Sequence, residues 1–290
     1  EDAHEIDDGI SIREHGNNKY TLYIHIADPT SLFSESGTSD SNGIEDQILR
    51  VASKKCFTTY LPDYVAPMLP KSYCKAADLG KNGQKTSTIT FSVDVIAPSK
   101  GPIEILKESF QIRLGMVSKF PKITYSIADD LLKKAGTSNR DLLTVEQREL
   151  QSLHSIAKAL REFRVKDMGA VVFGDDFNKG LVQVSRVDQE ISFEDREETS
   201  SVVLVTEMMI LANTLSGNFF HVNNIPGIFR SYQSLILGDQ AQSEYESMKM
   251  KVRCGNLPTY RDMTLLGSFL NSSFYSKEAY PHEMIGAPQY

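Results

Sequence analysis

The chain has 290 residues, of which 40% are hydrophobic and 24% charged, and its net charge is −7. This is the balance of an ordinary folded protein, long enough for one large core or two domains, and it excludes overall disorder. The longest apolar run, residues 202–212, is interrupted by Thr206 and Glu207 and is too short to span a bilayer, so no membrane partner is expected.

The acidic opening, EDAHEIDD, has the character of neither a signal nor a transit peptide. Residues 10–13 and 20–27 alternate apolar and polar side chains around His15-Gly16-Asn17-Asn18, which predicts a β-hairpin. With the turn at Gly16 and Asn17, Asp8 faces about His25 and Glu5 faces about Asp28. Residues 40–53 predict a helix with Ile44, Ile48, Leu49 and Val51 inward. Tyr60-Leu61-Pro62-Asp63 and Pro67-Met68-Leu69-Pro70 predict loops. Ile89, Phe91, Val93 and Val95 share one face of a strand, and residues 103–117 form another. Ser126, with Asp129 three residues on, predicts a capped helix that Gly136 ends. Thr144 and Gln147 form a second capping box, before a helix with Leu150, Leu153, Ile156, Leu160 and Phe163 inward. Residues 171–173 and 181–187 read as strands. Residues 200–220 form a helix apolar nearly all round, hence buried, and residues 239–253 form a polar surface helix. Strands and helices mix without βαβ alternation, so the expected class is α+β in a single domain over residues 1–290, with a mixed or antiparallel sheet and packed helices.

Cys56, Cys74 and Cys254 are far apart and form no CxxC pair, which points away from zinc or a disulfide framework and toward a reducing compartment. The net charge does not favour a nucleic-acid partner. A carboxylate metal site, however, lowers net charge while acting on an anionic substrate. Glu5, Asp7 and Asp8 gather like charge at a strand mouth, and a divalent cation is the usual counter-charge. Magnesium takes one or two carboxylates together with water and phosphate oxygens. Adjacent strand residues point to opposite faces, so Asp7 and Asp8 would play different parts. Composition alone also permits a solvated acidic edge. The strand that follows, and the hairpin that returns His25 and Asp28 to the same end, favour a site.

The blocks HEIDDGISI, YIHIADPTSLF, FTTYLPDYVAPMLP and TEMMILAN, in this order, resemble the catalytic RNB domain of the RNase II / RNase R family. The resemblance implies an RNB-type α+β fold and a processive 3′-to-5′ exoribonuclease that uses Mg2+ (or Mn2+) to release 5′-mononucleotides from single-stranded RNA. It implies Asp8 as main metal ligand and Asp7 as its neighbour. Glu5 stands where the family usually has Asp. Tyr60 is similar to the tyrosine that stacks on a base near the 3′ end, Phe173 to the second aromatic of that clamp, and Tyr125 to the tyrosine that sets the final product length. Glu207 resembles a glutamate near the 3′-terminal nucleotide, and Arg230 an arginine with a phosphate or ribose role. Each has a plainer alternative: core tyrosine, core phenylalanine, strand-end aromatic, or a salt bridge. An unpaired charge within the apolar helix is costly, so Glu207 demands a partner or a site. A further Asp of the family motif would precede residue 1, and its TSPxRR segment would follow Tyr290, so the chain reads as a catalytic-domain fragment.

AHEIDDGIS and PHEMIGAPQY are most similar to the fungal mitochondrial degradosome branch. That implies a mitochondrial matrix location and an RNA helicase subunit as partner, both by resemblance only. Two other functions compete: an inactive RNB-fold RNA-binding protein, and a hydrolase for another phosphoester. Asp7, Asp8 and Tyr60 speak against the first, and the aromatics against the second.

Overall fold

The computed structural model describes residues 6–33, 43–61, 64–80, 83–118, 123–137, 142–170, 181–185, 190–194, 198–232, 238–256, 259, 261–262 and 273–290. The chain opens as a hairpin of β1 (Asp8–Gly16) and β2 (Lys19–Ala27). Asn17 and Asn18 both take positive φ, 52° and 58°, as a two-residue turn that follows the strand twist requires. The turn therefore lies one residue later than its sequence predicts. A register shift between Glu14 and Gly16 absorbs part of the difference, so Asp8 pairs with Ile26 and Gly9 with His25.

Next come α1 (Ile44–Lys55), β3 (Thr59–Leu61), β4 (Tyr64–Ala66) and α2 (Lys71–Ala77), followed by β5 (Lys85–Ile96) and β6 (Glu104–Ser118). β5 returns beside β2, giving a four-stranded antiparallel sheet in the order β1-β2-β5-β6. The helices α3 (Tyr125–Thr137) and α4 (Val145–Lys166) precede the paired strands β7 (Leu181–Ser185) and β8 (Glu190–Glu194). The long α5 (Ser200–Val222) leads to β9 (Phe229–Ser231), α6 (Asp239–Arg253) and β10 (Phe274–Ser276), which pairs with β9. The class is α+β, as expected.

The two sheet faces differ as period-2 patterning requires. Leu22 and Ile24 of β2 and Val93 and Val95 of β5 bury against Ile156 and Leu160 of α4 and Met208, Leu211 and Leu215 of α5. Each such side chain is worth about 1.5–3 kcal/mol. The other face is polar: His25 bridges Ser11 Oγ (2.9 Å) and Thr90 Oγ1 (3.0 Å) through its two ring nitrogens. Burial lowers the His25 pKa. The helix over residues 200–220 is thus found in the core; by length and composition it is apolar enough to cross a membrane.

Several local expectations change. The Thr144–Gln147 capping box is present in full. Ser126 makes no capping bond among the described residues: α3 begins two residues earlier than expected, with Thr124 Oγ1 accepting from the Ile127 amide. The Asp129 carboxylate instead accepts from the Ser201 amide, 72 residues away, and so caps α5. Burial pushes the Asp129 carboxyl up, but hydrogen bonds from Thr199 and Ser201 outweigh it and hold its pKa below the ordinary value. Tyr60 and Leu61 lie in a strand, not a loop. In α1, Ile44, Leu49 and Val51 are exposed and Ala52 is the buried residue, contrary to the inward face its periodicity predicts. The strand expected over residues 171–173 lies outside the described residues.

Candidate active site

The acidic run ends at the mouth of β1. Asp8 opens the strand opposite Ile26, so its side chain belongs to the sheet face that carries Ile10, Ile24 and the helices. Its carboxylate is exposed and makes no hydrogen bond or ion pair with the described residues. Asp7, one residue earlier, is exposed too, and its carbonyl accepts from the Ala27 amide at 2.7 Å. Glu5 lies outside the described residues. Asp28, which the hairpin returns to this end, is buried and occupied: its carboxylate accepts from the Thr30 amide (3.0 Å) and the Thr30 hydroxyl, capping a short 3-10 turn. His25 pairs with Gly9, on the face away from Asp8.

The backbone beneath these carboxylates is held from both sides. The Ile6 amide donates to Asp78 Oδ1 (2.9 Å), and the Ile6 carbonyl accepts from the Leu79 amide (2.9 Å). Ile6 and Leu79 also pack with Ala27, Ala77 and Val117. Sequence reasoning did not reach Asp78. Its only local signal is the Asp-Leu-Gly that closes α2, in which Asp78 Oδ1 also accepts from the Gly80 amide (2.8 Å).

Among the described residues no three His, Cys, Asp or Glu side chains converge into a metal-binding group. The donor set is two exposed carboxylates on neighbouring residues. That fits magnesium, which takes few protein carboxylates and keeps water and phosphate oxygens as its other ligands.

Tyr60 stands on a short hairpin, paired with Val65, and is 76% exposed. Phe57, Leu61, Tyr64 and Val65 around it are exposed as well. Tyr125 is exposed at the start of α3, where its carbonyl accepts from Ser201 Oγ of α5 (3.2 Å). Phe173 lies outside the described residues.

Glu207 is 2% exposed, and the structure supplies the partner its burial demands. Arg164 of α4 donates to both carboxylate oxygens, through Nε at 2.8 Å and Nη2 at 2.5 Å. Its third nitrogen donates to the Ile285 carbonyl at 2.7 Å, tying α4 and α5 to the C-terminal segment. A planar fork of donors suits such bidentate pairing. The same segment meets α5 at Gly217, where an added Cβ would lie 3.0 Å from the Gln289 carbonyl carbon. Arg230 is exposed on β9; its amide donates to the Tyr290 carbonyl (2.7 Å) and its guanidinium to Ser273 Oγ (3.3 Å). Glu207 and Arg230 are therefore linked through residues 285–290, while Tyr60 stands on a separate hairpin. His282, in this segment, is buried beside Tyr232 and Tyr290, and its Nδ1 has no hydrogen-bond partner among the described residues.

A family model described as the RNB domain matches residues 1–290. The mitochondrial exoribonuclease II of Saccharomyces cerevisiae is 53% identical over an alignment that covers 100% of this chain and 30% of that protein. The crystal structure of an active-site mutant of Dss1 exoribonuclease from Candida glabrata superposes with a TM-score of 0.91 at 48% identity, covering 100% of this chain and 38% of that one. Mycoplasma genitalium RNase R in complex with double-stranded RNA has the same fold, with a TM-score of 0.75 at 17% identity over 99% of this chain and 51% of that one. The chain thus spans about a third to a half of the proteins it matches.

Proposed function

The chain belongs to the RNB family, and on that premise we propose that it forms the catalytic core of a 3′-to-5′ exoribonuclease. The substrate is single-stranded RNA and the products are 5′-mononucleotides. The work is mitochondrial RNA turnover, in the matrix and beside an RNA helicase subunit, as in the branch it resembles. The observation that carries the reading is the Asp8 carboxylate, exposed at the strand mouth beside Asp7 and engaged by no described side chain.

In this reading Asp8 and Asp7 hold magnesium, with Glu5 next to them. When bound, the ion activates water and neutralises charge on the phosphoryl oxygens. Tyr60 offers a π face to a base near the 3′ end. Such a grip tolerates any sequence, because every base has one. Phe173 is the second aromatic of that clamp, and Tyr125 and Arg230 contact the strand at exposed positions. Glu207 acts beside the 3′-terminal nucleotide from within its ion pair, so Arg164 holds that carboxylate in place.

The test uses the full-length protein with a 5′-labelled single-stranded RNA and magnesium, comparing wild type with Asp8→Asn. Mononucleotides and a short 5′ core from wild type, and uncut but bound RNA with the variant, are the expected results. RNA that wild type binds and leaves intact would mean a binding protein with a relic acidic run.

A further inference from the structure

We propose that Asp78 is the positioning residue of the metal site, resting on the nuclease reading above. Both backbone groups of Ile6 are bonded to residues 78–79: its amide to Asp78 Oδ1 and its carbonyl to the Leu79 amide. On the opposite side the Asp7 carbonyl is bonded to Ala27, and Asp8 is in register with Ile26. The two peptides flanking Asp7 are therefore anchored on opposite sides, and Asp8 follows in the β2 ladder. The β2 side of this grip is ordinary ladder. The other side combines one backbone bond, from the Leu79 amide, with one side-chain acceptor, Asp78 Oδ1.

Asp78 is itself held in place. Its Oδ1 accepts from the Gly80 amide at 2.8 Å, and its carbonyl accepts from the buried Thr86 hydroxyl at 3.2 Å. Gly80 leaves room for the contact: an added Cβ would lie 3.2 Å from both Asp78 Oδ1 and Ile6 Cδ1. Like-charged side chains on neighbouring residues repel each other until a cation neutralises them, and a rigid backbone keeps each at a fixed position. The acceptor at residue 78 needs an oxygen there, not a charge. Asparagine supplies the same Oδ1, and alanine does not.

The test is made in the full-length protein with Asp78→Ala and Asp78→Asn. Supporting residues of this kind typically cost 10–100-fold in metal affinity or activity when removed. Asp78→Ala is expected to weaken Mn2+ binding, read by electron paramagnetic resonance, by about that factor. It should raise the magnesium needed for half-maximal cleavage in parallel and leave RNA affinity in chelator unchanged. Asp78→Asn should stay near wild type in all three. Gly80→Ala, which crowds the contact without removing the acceptor, should give an intermediate loss, and it serves as the reporter if Asp78→Ala does not fold. Equal metal binding in wild type, Asp78→Ala and Gly80→Ala overturns the proposal, as does an Asn variant as impaired as the Ala variant. Wild type that binds neither Mn2+ nor cleaves RNA overturns the nuclease reading and this proposal with it.

Discussion

At the acidic rim, both hydrogen-bonding groups of Ile6 and the carbonyl of Asp7 have backbone or side-chain partners from two directions. Tyr60 instead projects from a strand of three residues, paired with another of three, in a region where Ile44, Leu49, Val51, Phe57, Tyr64 and Val65 are all exposed. The difference matches what each would do on the proposed reading. Metal-assisted hydrolysis needs oxygens at fixed separations, whereas stacking on a base needs only a flat apolar face within reach. The rim is held from two sides, and the arm, made of α1 and the β3–β4 hairpin, lends a surface.

Substitutions can test that division. The largest effect is expected within the body: Arg164→Ala leaves Glu207 as a buried, unpaired charge and should cost about 3–5 kcal/mol, read by chemical denaturation. Replacing both residues by apolar ones of similar size should recover most of it. At the rim, Asp8→Asn should lower cleavage by ~10³-fold, since a metal ion supplies several kcal/mol of transition-state stabilisation. It should not lower the melting temperature, because the Asp8 side chain has no partner among the described residues. On the arm the pattern should reverse in kind: Tyr60→Ala should weaken RNA binding by about 1–3 kcal/mol and leave the melting temperature unchanged. A Tyr60→Ala variant that unfolds would break the comparison. Cys56, which ends α1 with φ of 64°, sharpens it: Cys56→Gly should stabilise the arm by up to about 1 kcal/mol, seen as slower amide exchange in α1.

The smallest effect is that of pH. Burial lowers the pKa values of His25, His154 and His282 from 6.5. The unfolded chain therefore takes up their protons first as pH falls. Their contribution to stability is intact above about pH 6.5 and is lost as pH drops through the folded values. Melting temperature should decline from pH 7 toward pH 5, and His25→Gln should flatten part of that decline.

What the sequence revealed was whatever is local. The hairpin, the Thr144 box and the apolar α5 are written in neighbouring residues, and so is the acidic run. The register missed by one because the turn chose Asn17-Asn18, and the shift at residues 14–16 cannot be read from composition. Glu207 announced that it needed a partner but not which, since Arg164 is 43 residues away. Asp129 looked like the capping partner of Ser126 in its own helix and caps another. The α1 periodicity was real, yet a stripe of apolar residues does not reveal whether anything covers it. Asp78 was invisible because its work is done through space on Ile6.

The β2–β5 ladder closes residues 28–84 into one loop whose two ends are sewn together by the sheet. Lengthening such a closed loop is cheap: each doubling adds only about 0.6 kcal/mol of closure entropy. The reach of Tyr60 from the sheet can therefore drift, or be redesigned, by inserting residues into the arm. The Asp8–Ile26 register is set by β1 and β2 and would not notice, so long as Asp78 and Leu79, later in the same loop, keep their bonds to Ile6.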